Sequence, residues 1–328
     1  MIEINKLSAL TFSKLGQSGA AFGFGLMEAI KLNPKIMVVS ADMSRPAGLG
    51  RFITNYKDNF INVGIAEQNA VGIAAGISSE GSDVIVTAQA VFITMRSFEQ
   101  IRQYFGFMKF NVTIIGIASG FGLTFFGNTH YSIEDISLMR SIPGMTVLSP
   151  SDAGQAAKMM NLALQLKSPV YIRFTGGLNC PIVYKENYDF QIGKAIEVKT
   201  GNDITIFATG LMVHSAIKAV ELIENNNNIS VRVVDCHTIK PLDTLIIKSC
   251  FSSKLFVTIE EHSIIGGLGA AISDFISEFS NHPHLLKLGV SDKFSKPGDY
   301  EYLIKQNRLD YESIAEDLLI KYNAIDNV

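Results

Sequence analysis

Phe60-Ile-Asn-Val-Gly-Ile-Ala-Glu67-Gln-Asn-Ala-Val-Gly-Ile-Ala-Ala-Gly76 is the stretch on which the reading of this chain turns. Phe60 to Val63 is a short apolar run closed by Gly64, which reads as a buried strand, and Ala66 to Ser78 follows with helical character. Glu67, the one charge in the run, then falls in the first turn of a helix just past the carboxyl end of a strand. Open α/β sheets bind their ligands at such points. Two readings fit the local sequence. The helix dipole favours a Glu here even when it is exposed. Alternatively, a carboxylate buried among Gly, Ile, Ala and Val needs a protonated partner to offset its desolvation.

Outward from this stretch, the same alternation recurs. Strands are predicted at 36–40, 60–63, 84–87, 112–117, 145–148 and 170–174, with helices at 19–31, 66–79, 92–106, 133–141 and 152–166 between them. Such alternation implies a mainly parallel sheet covered on both faces. Thr175-Gly-Gly-Leu-Asn-Cys-Pro181 breaks the pattern, and the text stays polar and irregular to about Gln191, as a linker does. A second block follows, with strands predicted at 204–208, 231–235, 255–259 and 286–288 and helices at 212–224, 242–250, 267–279 and 311–321.

With 328 residues, two domains are the natural expectation. Hydrophobic residues make up 47% and charged residues 18%, as suits helix-covered sheets. The net charge of -3, with basic residues scattered, leaves no footprint for nucleic acid. No apolar run reaches membrane-spanning length, and the N-terminus has no basic region followed by an apolar run, so neither a membrane nor a secretion signal is expected. Cys180, Cys236 and Cys250 lack metal-ligand spacing and read as reduced, buried thiols of a cytoplasmic protein. There is no Gly-x-Gly-x-x-Gly at a first βα unit, no Gly-x-x-x-x-Gly-Lys-Ser/Thr, no Gly-x-Ser-x-Gly and no His-Glu-x-x-His. Gly266-Gly-Leu-Gly269 reads as a helix start.

Three further features sit at predicted carboxyl ends of strands or in the loops after them. In Ala90-Val-Phe92-Ile-Thr-Met-Arg96-Ser-Phe98-Glu-Gln-Ile-Arg102, Phe92 and Phe98 are either core residues or a stacking platform for a flat ring. In Gly127-Asn-Thr-His130-Tyr-Ser-Ile-Glu-Asp135, His130 is either a surface histidine or one facing a ligand. In Tyr171-Ile-Arg173-Phe174, the Arg suits an anionic ligand or a structural ion pair equally.

These stretches, joined by Ser141-Ile-Pro-Gly-Met-Thr-Val-Leu-Ser-Pro-Ser-Asp152, Ser168-Pro-Val-Tyr-Ile-Arg173, Val257-Thr-Ile-Glu-Glu-His-Ser-Ile-Ile-Gly-Gly-Leu-Gly269 and Leu288-Gly-Val-Ser-Asp-Lys-Phe294, resemble the C-terminal half of transketolases. The resemblance runs in order over nearly the whole chain. It implies an α/β fold of two doubly wound domains: a pyrimidine-binding domain with a parallel sheet at 1–178, a linker at 179–191 and a smaller transketolase C-terminal domain at 192–328. It implies a thiamine diphosphate-dependent transferase that moves a ketol unit from a ketose or ketose phosphate to an aldehyde. Glu67 would hydrogen-bond the pyrimidine ring nitrogen and favour the imino form that deprotonates the thiazolium carbon. Phe92 would stack on the pyrimidine and Phe98 would complete the aromatic wall. Asp42 and Met43 would form a cofactor-proximal turn. His130 would contact the donor's oxygens, and Arg173 the distal end of the sugar.

The family's Mg²⁺-diphosphate motif, Gly-Asp-Gly followed by Asn, is absent, and no metal-binding residues are expected in this chain. The resemblance therefore implies an N-terminal transketolase-like partner subunit holding the diphosphate and Mg²⁺. It also implies self-association through the pyrimidine-binding domain in an α₂β₂ assembly. The substrate contacts depart from the family pattern. Phe125-Phe126 stand where an acidic pair is usual, Ala118 where a further His is usual, and Ser18-Gly19-Ala20 where a phosphate-binding Arg is usual. The expectation is retained chemistry on a non-standard, less hydroxylated sugar or sugar phosphate. Related alternatives are a deoxyxylulose-phosphate-synthase-like carboligase, the beta subunit of a 2-oxo acid dehydrogenase, and a non-catalytic assembly partner.

Overall fold

The computed structural model describes residues 2–325, so Met1 and the last three residues of the expected domain spans lie outside the described residues. The first sheet contains β1 Met37–Ser40, β2 Phe60–Asn62, β3 Val84–Gln89, β4 Val112–Ile117, β5 Thr146–Leu148 and β6 Val170–Phe174. The second contains β7 Ile196–Lys199, β8 Ile204–Ala208, β9 Val231–Asp235, β11 Leu255–Ser263 and β12 His284–Val290, while β10, Thr238–Lys240, joins the first. The strand orders are β10-β5-β6-β4-β3-β1-β2 and β12-β11-β8-β9-β7. All neighbours are parallel except β10 on β5 and β7 on β9. The chain is therefore α/β with two mainly parallel sheets, as the alternation of the sequence requires.

Every residue of β3, β4 and β6 is buried, because helices cover both faces of the central strands. Alternate side chains divide between two apolar layers. Val38, Ile85, Ile115 and Ile172 pack on one side, and Val39, Val86, Ile114 and Tyr171 on the other. Cys180, Cys236 and Cys250 are buried free thiols, and burial pushes Cys180 up to about 12. No helix among the described residues is long and apolar enough to cross a membrane.

The structure departs from the predicted elements in several places, of which these bear on the domain junction and the N-terminus. The first helix begins at Lys6 rather than Gly19, because Asn5 and Ser8 form a reciprocal cap at its start. It continues through a π-helical turn, Ala21–Leu26, into Met27–Leu32. Strand β7 lies just past the expected linker. Strand β10 lies where no strand is predicted, within the span expected for the second domain, and pairs with β5 of the first sheet, with Thr238 opposite Leu148.

That junction is polar and buried. Glu261 accepts from the Phe121 N–H at 2.6 Å and from the Tyr300 hydroxyl at 2.6 Å. Glu260 accepts from the N–H groups of Leu268 and Gly269, which open the helix Leu268–Ile276. Burial pushes both carboxyls up to about 7, against these hydrogen bonds, and pushes the His262 imidazole down to about 4.

Candidate active site

Four loops converge at the carboxyl ends of the adjacent strands β4, β3, β1 and β2. After β1, Asp42 takes a left-handed conformation (φ 56°) and is exposed, while Met43 is half-buried against the apolar layer around Val38. The Asn62 side chain joins this turn to the next, accepting from the N–H groups of Asp42 at 3.2 Å and Gly64 at 3.0 Å. Gly64 turns the chain with φ +74°, and Glu67 is the first residue of the helix Glu67–Ser79.

Glu67 is buried, at 6% exposure, which settles the first ambiguity of the sequence. Its protonated partner within the chain is one that the sequence reading does not assign. Arg96 Nη1 donates to both carboxylate oxygens at 3.2 Å, and the same guanidinium lies 3.8 Å from the centroid of the Phe92 ring. Arg96 follows Phe92 by four residues on the helix Ala90–Arg96, a spacing that puts the two side chains on one face. That spacing is the signal by which the contact is legible in the sequence.

Phe92 in turn meets His130 edge-on, with ring centroids 5.1 Å apart, and His130 stacks on Phe126 at 4.6 Å. His130 Nδ1 is 2.8 Å from the Thr129 hydroxyl, which fixes the ring. The order Glu67, Arg96, Phe92, His130, Phe126 is thus one continuous row of contacts. Phe126 is 60% exposed and Phe125 92% exposed at its open end.

Two expected residues stand apart from this row. Phe98 is half-buried against the layer containing Val39, Ala70, Val71 and Ile101 and lies outside the row of ring contacts. Arg173 is 1% exposed. Its Nε donates to Asp135 at 2.9 Å and its Nη2 to the carbonyl of Glu261 at 3.2 Å, while the Tyr171 hydroxyl donates to the same Asp135 oxygen. This buried guanidinium ties the β6 end of the first sheet to β11 of the second, and its donors are engaged within the chain. Among the described residues, no group of three or more His, Cys, Asp or Glu is arranged to hold a metal ion.

Residues 17–180 match the family model of the transketolase pyrimidine binding domain, and residues 193–314 that of the transketolase C-terminal domain. The chain belongs to the transketolase family. It is 36% identical over 300 residues to a putative transketolase C-terminal section of Methanocaldococcus jannaschii, covering 91% of this chain and 94% of that one. It is 35% identical to a subunit of the apulose-4-phosphate transketolase of Phocaeicola vulgatus, over 90% of this chain and 94% of that one. A solved structure described as a split gene transketolase, inactive beta4 tetramer, superimposes with a TM-score of 0.82 at 35% identity, over 92% and 96% of the two chains.

Proposed function

We propose that this chain is the pyrimidine-binding subunit of a two-subunit, thiamine diphosphate-dependent transketolase-like enzyme that transfers a ketol unit from a ketose donor to an aldehyde acceptor. The observation that carries the reading is the shared grip of Glu67 and Phe92 on one planar cation. A carboxylate that accepts two N–H contacts, beside a phenyl face that stacks on the same flat group, suits an aminopyrimidine ring. Bound thiamine diphosphate supplies the carbanion and electron sink for cleaving a bond next to a carbonyl. Glu67 contributes a hydrogen bond to the pyrimidine ring nitrogen, Phe92 the stacking face, and His130 an imidazole that meets the donor's oxygens. The turn at Asp42 and Met43 lines the same edge.

The chain lacks the family's diphosphate motif, so the reading assigns diphosphate and Mg²⁺ to a partner subunit. Support for a partner comes from full-length relatives that are themselves named as single subunits of transketolases, and from the inactive form described for a tetramer of beta chains alone. An α₂β₂ assembly is the corresponding proposal for stoichiometry, and a cytoplasmic location for the enzyme. The exposed pair Phe125 and Phe126 beside His130, together with the burial of Arg173, favours a substrate with fewer hydroxyls than the usual pentose phosphates.

The test is a donor and acceptor screen on the chain assembled with its partner, comparing wild type with Glu67→Gln. Turnover is expected to fall at least about a hundredfold in the variant, with an unchanged circular dichroism spectrum. Unchanged turnover sinks the catalytic reading. Rapid conversion of xylulose 5-phosphate and ribose 5-phosphate sinks the substrate reading alone.

A further inference from the structure

Arg96 already does to Glu67 and Phe92 what the proposed cofactor ring is to do. Its guanidinium is flat, charged and a hydrogen-bond donor. It gives one nitrogen to both oxygens of a buried carboxylate and places its Cζ 3.8 Å from the Phe92 centroid. No single group can bond Glu67 in this way and leave that face of Phe92 open for a second planar ring. The Arg96 backbone is held in place, since its carbonyl accepts from the Gln68 amide at 2.9 Å. The helix Ala90–Arg96 ends at this residue and the next begins at Phe98. The Arg96 side chain is half exposed, at 50%, whereas Glu67 is buried.

We propose that Arg96 is an internal stand-in for the aminopyrimidine, and that the cofactor enters by displacing its guanidinium into solvent. The inference rests on the reading of Glu67 and Phe92 given above. In the unliganded chain, Arg96 keeps the buried carboxylate paired and the Phe92 face covered. On binding, the pyrimidine takes over both contacts, one proton taken up from solvent bridging Glu67 and the ring nitrogen in place of the guanidinium N–H, and the long, flexible arginine stem carries the charge outward. The affinity for cofactor is then the intrinsic affinity of the seat reduced by the population in which Arg96 occupies it. A half-exposed ion pair combined with a cation–π contact is worth about a factor of ten in such an equilibrium.

The test uses the full chain in four forms: wild type, Arg96→Met, Glu67→Gln and Phe92→Ala. Thiamine, which carries the whole aminopyrimidine without the diphosphate, is titrated calorimetrically into each. The titration is repeated with thiamine diphosphate and Mg²⁺ on each chain assembled with its partner subunit. Arg96→Met is expected to bind about tenfold more tightly than wild type, and the other two variants to lose binding. Equal or weaker binding by Arg96→Met in both formats overturns the stand-in, while loss of binding in Glu67→Gln and Phe92→Ala keeps the underlying reading intact. Wild-type affinity in those two variants overturns the reading itself and the stand-in with it.

Discussion

Replacing Arg173 by Met separates a structural arginine from one that binds substrate. Asp135 and Arg173 are both fully buried, and Arg173 Nε lies 2.9 Å from Asp135. Truncating the arginine leaves a carboxylate inside the protein with the Tyr171 hydroxyl as its remaining close donor. Breaking one side of a buried pair costs about 3–5 kcal/mol. The carbonyls of Ser132 and Glu261 also lose a donor, which adds about 1 kcal/mol. An expected loss of about 4–6 kcal/mol is a large share of the roughly 5–15 kcal/mol that holds a domain folded. Adding Asp135→Leu removes the stranded charge, so the double variant should recover about half of the loss. The assay is equilibrium unfolding in urea, followed by circular dichroism and tyrosine fluorescence, since the chain has no tryptophan. The reasoning fails if Arg173→Met costs less than about 1 kcal/mol and instead raises KM for the donor.

Glu261→Gln tests the junction by its pH dependence. Burial holds the Glu261 carboxyl near 7, above its ordinary 4.5. The folded chain therefore keeps this proton after the unfolded chain has released it. Stability from this group is full below pH 4.5 and is lost as pH rises through 7. Glutamine can accept from Phe121 N–H and donate to the Tyr300 oxygen, so the variant should match wild type near pH 4.5 and exceed it by about 3 kcal/mol at pH 8. Parallel stability curves for the two chains would refute this. Gly120→Ala is expected to cost about 3 kcal/mol, read as a fall in Tm, because φ is +61° and a methyl would run into Glu261 Oε1; an unchanged Tm contradicts that contact. Phe126→Ala uncovers one face of His130 at a cost of about 1 kcal/mol in stacking. It should shift the kcat/KM ratio about tenfold towards polyhydroxylated acceptors, and an unchanged ratio would show that the ring does not set specificity.

The strands that the sequence reveals are those whose residues carry the pattern themselves. Val112–Ile117 and Val170–Phe174 are apolar throughout because helices cover them on both faces. Thr238–Lys240 has three residues and no such pattern. It is a strand because β5, from the other half of the chain, leaves an edge for it. The site divides along the same line. The places of Glu67, Phe92 and His130 just past strand ends follow from local order along the chain, and the structure brings them into one row. Arg173 reads the same in sequence whether it faces a sugar or an aspartate; its contacts with Asp135 and the Glu261 carbonyl come from residues distant in sequence. Arg96 is legible by its spacing from Phe92, but its contact with Glu67 bridges two separate helices.

Strand β10 limits where this polypeptide can be divided. A cut in the linker after β6 would strip β5 of its outer neighbour and expose the N–H and C=O row of Thr146–Leu148 as a bare edge, a template for aggregation. It would also separate Arg173 from the Glu261 carbonyl. The two sheets are thus expected to fold as one piece, and fragments cut at this linker to reassociate through that edge or to aggregate.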